Sequence, residues 1–383
     1  MTEKAVFIYS DDYLKYKFGE KHPLNPIRLE ITYDLLTEMG VLDEKDIMCP
    51  RMAKEEELAL VHSPEYINAV VDAGRNPNGG DFTNFELGTE DNPIFEGMHE
   101  ASSLIAGGTL TAVEAVMEGK ARHAVNIAGG LHHAQRDRAS GFCIYNDAAV
   151  AIAYLRKKYD IRVMYIDTDA HHGDGVQDIF YDDPDVLVVS LHESGHYLFP
   201  GTGDIYEQGT GLGFGSTINI PFEPFTEDES WISAFERVVI PNARAFAPHI
   251  IISQHGCDGH HLDPLTHLSL TMKSYEEIPR LVHMLAEQLC EGRLVALGGG
   301  GYNIWQVVPR AWALLWCQIA QRDPQEKLPE SWIKKWESIS GEKLPQTMSD
   351  PPDLVPPIPR REEIIEKNNI TMNRVLRQSV MFF

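Results

Sequence analysis

Cysteine is scarce in this chain of 383 residues. The five present (Cys49, Cys143, Cys257, Cys290 and Cys317) are odd in number, scattered, and include no CxxC pair. That pattern fits free thiols in a reducing compartment better than a disulfide framework. No stretch approaches the roughly eighteen consecutive apolar residues of a membrane span, and no N-terminal apolar run has basic flanks. A cytoplasmic location follows as an expectation, with no membrane partner. Positive charge is also short: 33 Lys and Arg stand against 57 Asp and Glu, a formal net charge of −24. That balance argues against direct contact with nucleic acid or anionic lipid and is compatible with a cationic substrate or a basic peptide, besides serving solubility. Neither a GxxxxGK[ST] phosphate loop nor a GxSxG nucleophile elbow occurs, and no internal repeat is found.

What is present begins with an apolar content of 43%, ample for a large core. Strand-like runs are Ala5-Val6-Phe7-Ile8-Tyr9, Ala124-Val125-Asn126-Ile127, residues 163–166, residues 186–191, Ile250-Ile251-Ile252 and residues 294–297. Helical periodicity covers residues 29–38, 55–72 with a break at Ser63-Pro64, 94–118, 146–159, 229–246 and 274–291. Residues 74–92, rich in Gly, Asn and Asp, read as a long loop. Continuous apolar strands alternating with helices predict an α/β fold with a parallel sheet covered on both faces. From residue 322 onward, prolines at 324, 329, 345, 351, 352, 356, 357 and 359 interrupt the pattern. The expected organisation is a catalytic domain over residues 1–320 and a Pro-rich extension over 321–383 that wraps onto it.

Polar or glycine-rich residues load the C-terminal end of five strands. They are Gly129-Gly130-Leu131-His132-His133, Asp167-Thr168-Asp169-Ala170-His171, Ser190-Leu191-His192, Gln254-His255-Gly256-Cys257-Asp258 and Gly298-Gly299-Gly300-Gly301-Tyr302. In open parallel sheets the ligand crevice lies outside these ends, so all five should share one edge. Alternation along the strand entering residues 163–175 should bring Asp167, Asp169 and His171 to one side.

The chemistry of these residues is that of a metal hydrolase. Asp169, His171 and Asp258 supply two carboxylates and an imidazole, the donor set of a catalytic zinc-type site with positions left open. The adjacent His132 and His133 cannot share one apolar face, and Asp167 and Asp174 are the carboxylates available to orient them. Tyr302, after four glycines, could donate its hydroxyl to an oxyanion. Arg28, held between prolines, reads either as a surface residue at a helix start or as a group facing the site.

These segments resemble the histone deacetylase family. The resemblance lies in residues 129–134 (GGLHHA), 141–147 (GFCIYND), 167–175 (DTDAHHGDG), 199–203 (FPGTG) and 297–302 (LGGGGY), and it runs in order from about Tyr9 to Gln318. Among bacterial members the chain looks most like the acetoin-utilisation deacetylases. The resemblance implies a single-domain, arginase-like three-layer α/β fold with a central, mostly parallel eight-stranded sheet. It implies a zinc-dependent deacetylase acting on acetyl-lysine in proteins or peptides, with Zn2+ on Asp169, His171 and Asp258, and Fe2+ or another divalent ion as the alternative in the cell. His133 becomes the general base and acid, His132 an electrostatic support for the oxyanion, and Tyr302 the group polarising the carbonyl. Gly141, Phe142, Phe199, Gly300 and Leu265 are implied at the substrate channel, Asp91 at its mouth, and Arg28 near an acetate-release cavity. A structural K+ is implied at Asp167, Asp169, His171, Ser190 and Leu191. The oligomeric state is left open, a homodimer among the options.

The segment Gly259-His260-His261-Leu262-Asp263 departs from the family pattern by two imidazoles, and residues 192–199 differ too; both are expected to flank the mouth and to bear on substrate preference. Rival readings are an acetylpolyamine amidohydrolase with the same chemistry on a small amine, an arginase-type ureohydrolase with two manganese ions, and a non-enzymatic acyl-binding relative. The spacing His171-His172-Gly173-Asp174 is unsuited to the arginase pattern, and no catalytic residue is missing as a non-enzymatic relative would require.

Overall fold

The continuous apolar runs become the interior strands of a single sheet. A computed structural model describes residues 5–379; residues 1–4 and 380–383, at the ends of the two segments assigned above, lie outside the described residues. The strands are β1 (Ala5–Ile8), β2 (Ile47–Met48), β3 (His123–Asn126), β4 (Val163–Asp167), β5 (Val186–Glu193), β6 (Thr217–Phe222), β7 (Ile250–Gln254) and β8 (Leu294–Leu297). Their order across the sheet is β2-β1-β3-β8-β7-β4-β5-β6, and every ladder is parallel. Each residue of β3, β4, β7 and β8 is buried, as a sheet covered on both faces requires.

Two strands, β2 and β6, have no counterpart among the runs read from the sequence. Both lie at sheet edges. β2 is two residues long, too short to show a period. β6 alternates Ile218, Ile220 and Phe222 with polar Thr217 and Asn219 and carries Pro221, whose missing N–H an edge strand tolerates.

The helices are α1 (Ile27–Glu38), α2 (Glu55–Leu58), α3 (Pro64–Arg75), α4 (Met98–Met117), α5 (Asp147–Tyr159), α6 (Asp174–Ile179), α7 (Asp228–Ala234), α8 (Ile240–Phe246), α9 (Met272–Leu289), α10 (Val308–Ala320), α11 (Glu330–Ser340) and α12 (Arg361–Gln378). A π-helical turn at Phe235–Val239 joins α7 to α8, so the periodic stretch is continuous. Helices α3, α4 and α5 pack together over β3 and β4, while α1, α9 and α10 pack together over β1, β3 and β7. Ser63 caps α3 by accepting from Tyr66 N at 3.2 Å, and Pro64 occupies its first turn, which explains the break in periodicity.

Three boundaries differ from the sequence reading. α4 begins at Met98 rather than at residue 94, because Gly97 sits at φ +73° and interrupts the helical run. Gly74 lies inside α3 against the start of α4, where a Cβ would meet Met98 N at 3.1 Å, so the long loop opens at residue 76. β5 runs to Glu193 rather than ending at residue 191, which places His192 and Glu193 within the strand.

Beyond residue 321, α11 sets Trp332 Nε1 on the Ile31 carbonyl at 3.2 Å and Trp336 Nε1 on Asp34 Oδ2 at 2.7 Å, both on α1. α12 packs against β6 and α7, with Asn368 Oδ1 accepting from Glu223 N at 3.1 Å.

Candidate active site

The register of the sheet brings the exits of β4, β7 and β8 together. Asp167 of β4 is level with Gln254 of β7, which is level with Leu297 of β8. Thr168 N and Oγ1 both donate to the Gln254 carbonyl, at 3.1 and 2.9 Å, fixing the path of the chain as it leaves β4. The next residues converge: Asp169, His171 and Asp258 offer ligand atoms all within 4.8 Å of one another. His171 Nδ1 is 2.8 Å from Asp258 Oδ2 and 3.1 Å from Asp169 Oδ1. The remaining carboxylate oxygens are spoken for, since Asp169 Oδ2 accepts from Gln254 Nε2 and Gly300 N, each at 2.7 Å, and Asp258 Oδ1 accepts from Ala170 N at 2.9 Å. Two carboxylate oxygens and an imidazole nitrogen therefore face one point, with their outer partners already satisfied. This arrangement fits one divalent cation and leaves coordination positions for water and a carbonyl.

His132 and His133 follow the turn after β3. Asp147, at the start of α5, accepts from Gly130 N and Leu131 N at 3.0 and 2.8 Å and from Thr109 Oγ1 at 2.6 Å, and this clamps the turn. His132 Nδ1 donates to Asp167 Oδ2 at 2.8 Å, and His133 Nδ1 donates to Asp174 Oδ1 at 2.7 Å. Both rings are buried yet pushed in opposite directions. Burial disfavours the charged form of His132, but the carboxylates of Asp167 and Asp169 outweigh it and raise the ring to about 9. For His133, burial and then the neighbouring His132 prevail over Asp174 and lower it to about 4. One imidazole is thus suited to carry charge and the other to accept a proton.

Tyr302 follows the glycine run that leaves β8. Asp263 Oδ2 accepts from the backbone N–H groups of Tyr302 and Asn303 at 2.8 and 3.3 Å and so shapes the loop after the glycines. Desolvation, followed by the charges of Asp258 and Asp169, pushes the Tyr302 hydroxyl well above its ordinary value and keeps it a donor. Phe142 lies 5.8 Å from the Tyr302 ring and Phe199 lies 5.1 Å from the His133 ring. Phe142 is held at φ +70°, where Asn92 Oδ1 accepts its N–H at 3.0 Å and its carbonyl accepts from the Tyr16 hydroxyl at 2.8 Å. Strain of this kind persists only where the surroundings enforce it. Gly141 admits nothing larger, as a Cβ there would meet His133 Cδ2 at 2.5 Å and Phe199 Cε1 at 2.9 Å.

The other expected residues fall as follows. Arg28 is buried over the Trp312 ring at 5.0 Å and donates to the Gly301 carbonyl at 3.1 Å, so it is not a surface residue. Asp91 is exposed, its carbonyl 3.2 Å from His22 Nε2, and the His22 ring rests 4.5 Å from Phe142. Leu265 is half-buried and follows the Asp263 loop, its N–H on Asp263 Oδ1 at 3.0 Å. Asp167 and Ser190 are buried register partners on β4 and β5, with Leu191 next along. Ser190 Oγ donates to His192 Nδ1 at 2.9 Å, since His192 Nε2 donates to the Gly203 carbonyl, so the serine oxygen retains its lone pairs.

One expectation is corrected. His260 does not flank the mouth; it is fully buried and bonds Asp350 Oδ2 at 2.9 Å, because the C-terminal extension crosses behind this loop. Gln254, Asp263, Asp147, Asn92 and His22 were not singled out by their types or spacing. Of these Gln254, Asp263 and Asp147 stood within quoted segments, and nothing local marks their supporting roles.

Comparison with known proteins agrees with this geometry. The pattern of the histone deacetylase domain matches residues 22–319. The chain belongs to the histone deacetylase family. It is 56% identical over 374 residues to the acetoin utilization protein AcuC of Bacillus subtilis (strain 168), covering 97% of this chain and 96% of that one. It is 43% identical to the AcuC protein of Staphylococcus xylosus, covering 98% of each. Two solved structures of histone deacetylase homologs are similar at 34% identity. One, complexed with SAHA, has a TM-score of 0.86 and covers 97% of this chain; the other, from Aquifex aeolicus, has a TM-score of 0.83 and covers 96%. The arginase/deacetylase-like fold expected from the sequence is therefore the fold observed, and the protein is a hydrolase of the AcuC type. Among the described residues no helix is long and apolar enough to cross a membrane.

Proposed function

We propose that this hydrolase removes acetyl groups from acetyl-lysine side chains of proteins or peptides. The observation that carries the reading is the aromatic surround of the Asp169, His171 and Asp258 cluster. Phe199 lies 5.1 Å from the His133 ring and 6.5 Å from the His171 ring, and Phe142 lies 5.8 Å from the Tyr302 ring, which suits a narrow passage for the substrate. Two aromatic side chains suit the methylenes of a lysine side chain, and Gly141 keeps the passage open. Asp91 would hold the substrate backbone at the rim, which favours a peptide over a small diamine.

Zinc is the ion this donor set suits best, and when bound it would supply Lewis acidity to the attacking water and the amide carbonyl. His133 Nε2 takes a proton from the water while Asp174 holds the other ring nitrogen, and the same atom returns the proton to the departing lysine amine. The Tyr302 hydroxyl donates to the carbonyl oxygen as negative charge develops there, and His132, paired with Asp167, adds positive potential. Arg28 beside the Gly301 carbonyl would meet the released acetate. Asp167, Ser190 and the neighbouring backbone of Asp169, His171 and Leu191 are proposed to hold K+, for which the available Ser190 oxygen is the supporting observation.

The test compares hydrolysis of an acetyl-lysine peptide with that of acetylputrescine by the zinc-loaded protein. The expected result is a clear preference in kcat/KM for the peptide. Turnover confined to acetylputrescine would replace this reading with that of a polyamine amidohydrolase.

A further inference from the structure

A second cluster of ligating side chains lies at the opposite end of β3 from His132 and His133. His123, the first residue of β3, is buried; His283 and Glu287 project from α9, one turn apart on the same face. His123 Nε2 is 3.3 Å from His283 Nε2 and 3.4 Å from Glu287 Oε1, and His283 Nε2 is 3.8 Å from the same oxygen. Ligand atoms around a tetrahedral ion bound at about 2.0–2.1 Å are separated by about 3.3–3.4 Å, so two of the three edges already have that length.

Hydrogen bonding alone accounts poorly for the cluster. A single N–H between the two rings leaves Glu287 Oε1 buried with no hydrogen-bond partner. The other oxygen, Oε2, is engaged by Arg122 Nη2 at 2.5 Å, which orients the carboxylate as an outer partner of a metal ligand would. Space is kept by Gly292 at φ +80°, where a Cβ would meet Glu287 Oε1 at 2.5 Å and Arg122 Nε at 2.6 Å.

We propose that His123 Nε2, His283 Nε2 and Glu287 Oε1 form a second divalent-metal site, separate from Asp169, His171 and Asp258. Two imidazoles and one carboxylate select Zn2+, Co2+, Ni2+ or Cu2+ over Mg2+ and Ca2+. The Arg122 charge lowers its affinity below that of a site without a nearby cation. The Glu287 and Arg122 side chains, 28% and 39% exposed, leave a path for the ion and for a water as fourth ligand. Occupancy would join the start of β3 to α9, which precedes β8, the neighbour of β3 in the sheet. Its role is structural, since no group that handles substrate is involved.

The experiment loads the full-length protein with Zn2+, removes weakly held ion by gel filtration at micromolar free zinc, and counts bound zinc by elemental analysis. The expected result is two equivalents per chain in the wild type. His283→Gln and Glu287→Gln should each retain one equivalent, an unchanged circular dichroism spectrum and wild-type deacetylation, and should lose the zinc-dependent rise in melting temperature. Asp258→Ala should also hold one equivalent while losing turnover. A single equivalent in the wild type, or two in both α9 variants, overturns the proposal. Neither outcome bears on the acetyl-lysine reading, which rests on the other site.

Discussion

His260 Nε2 donates to Asp350 Oδ2 across 2.9 Å, and this bond ties the loop that carries Asp258 to the C-terminal extension ninety residues on. The direction follows from the other ring nitrogen, since His260 Nδ1 accepts from Leu262 N at 3.1 Å. Asp350 also accepts from Met272 N at 2.8 Å and pairs with Arg310 Nη1 at 2.9 Å. One carboxylate thus joins the Asp258 loop, the start of α9 and α10.

Replacing Asp350 by Asn should lower stability by about 1–4 kcal/mol, because buried Arg310 loses its counter-charge and the amide NH2 must face one of the donors that the second carboxylate oxygen had accepted from. Thermal denaturation and limited proteolysis after residue 321 would register it; an unchanged melting temperature refutes the assignment. The pH dependence has a definite sign. Burial alone would raise Asp350, but the His260 bond, with Arg310 and Met272 N, holds it down at about 2. A folded value below the unfolded one contributes stability that is fully present above about pH 4 and is lost as the pH falls toward 2. Burial also lowers His260, so protonation of the unfolded imidazole weakens the contact as the pH falls below about 6.5, and insensitivity to pH is expected only above about 7.

Tyr302→Phe should reduce kcat about 10²–10³-fold, with little change in folding or zinc content, because the hydroxyl acts where charge develops in the reaction. Steady-state kinetics on an acetyl-lysine peptide with metal analysis checks this. A rate within twofold of wild type would remove Tyr302 from the chemistry.

Gly141→Ala should block the passage while sparing the metal residues. The added methyl meets His133 Cδ2 and Phe199 Cε1, and the backbone there is at φ +51°. Turnover of the acetyl-lysine peptide should fall at least tenfold with zinc content unchanged; full activity would show that the passage lies elsewhere.

Asp263 positions Tyr302 through the backbone, so Asp263→Ala should lower kcat about tenfold or more by loosening residues 300–303. Asp263→Asn retains an oxygen acceptor and should restore most of the loss. Equal impairment in both variants would argue for a charge role instead of a positioning one.

Much of the site was legible because it sits in contiguous stretches at strand ends. In residues 163–175 donor chemistry marks Asp169 and His171, together with Asp258, as a metal set and leaves Asp167 and Asp174 as the carboxylates for two adjacent imidazoles. The apolar runs of β3, β4, β7 and β8 announce buried parallel strands for the same reason: each run must satisfy its own burial locally. β2 escaped notice because two half-buried residues show no period, and β6 because Thr217, Asn219 and Pro221 interrupt its apolar residues although five of its six residues are buried. Strand order, the turn clamp at Asp147, the Asp263 support beneath Tyr302, and the meetings of His260 with Asp350 and His123 with His283 depend on residues between 16 and 160 positions apart. Backbone periodicity acts over a few residues and can specify elements and what their ends carry. Which distant side chains share a hydrogen bond or an ion follows only from how the packed layers align, and no local pattern encodes that.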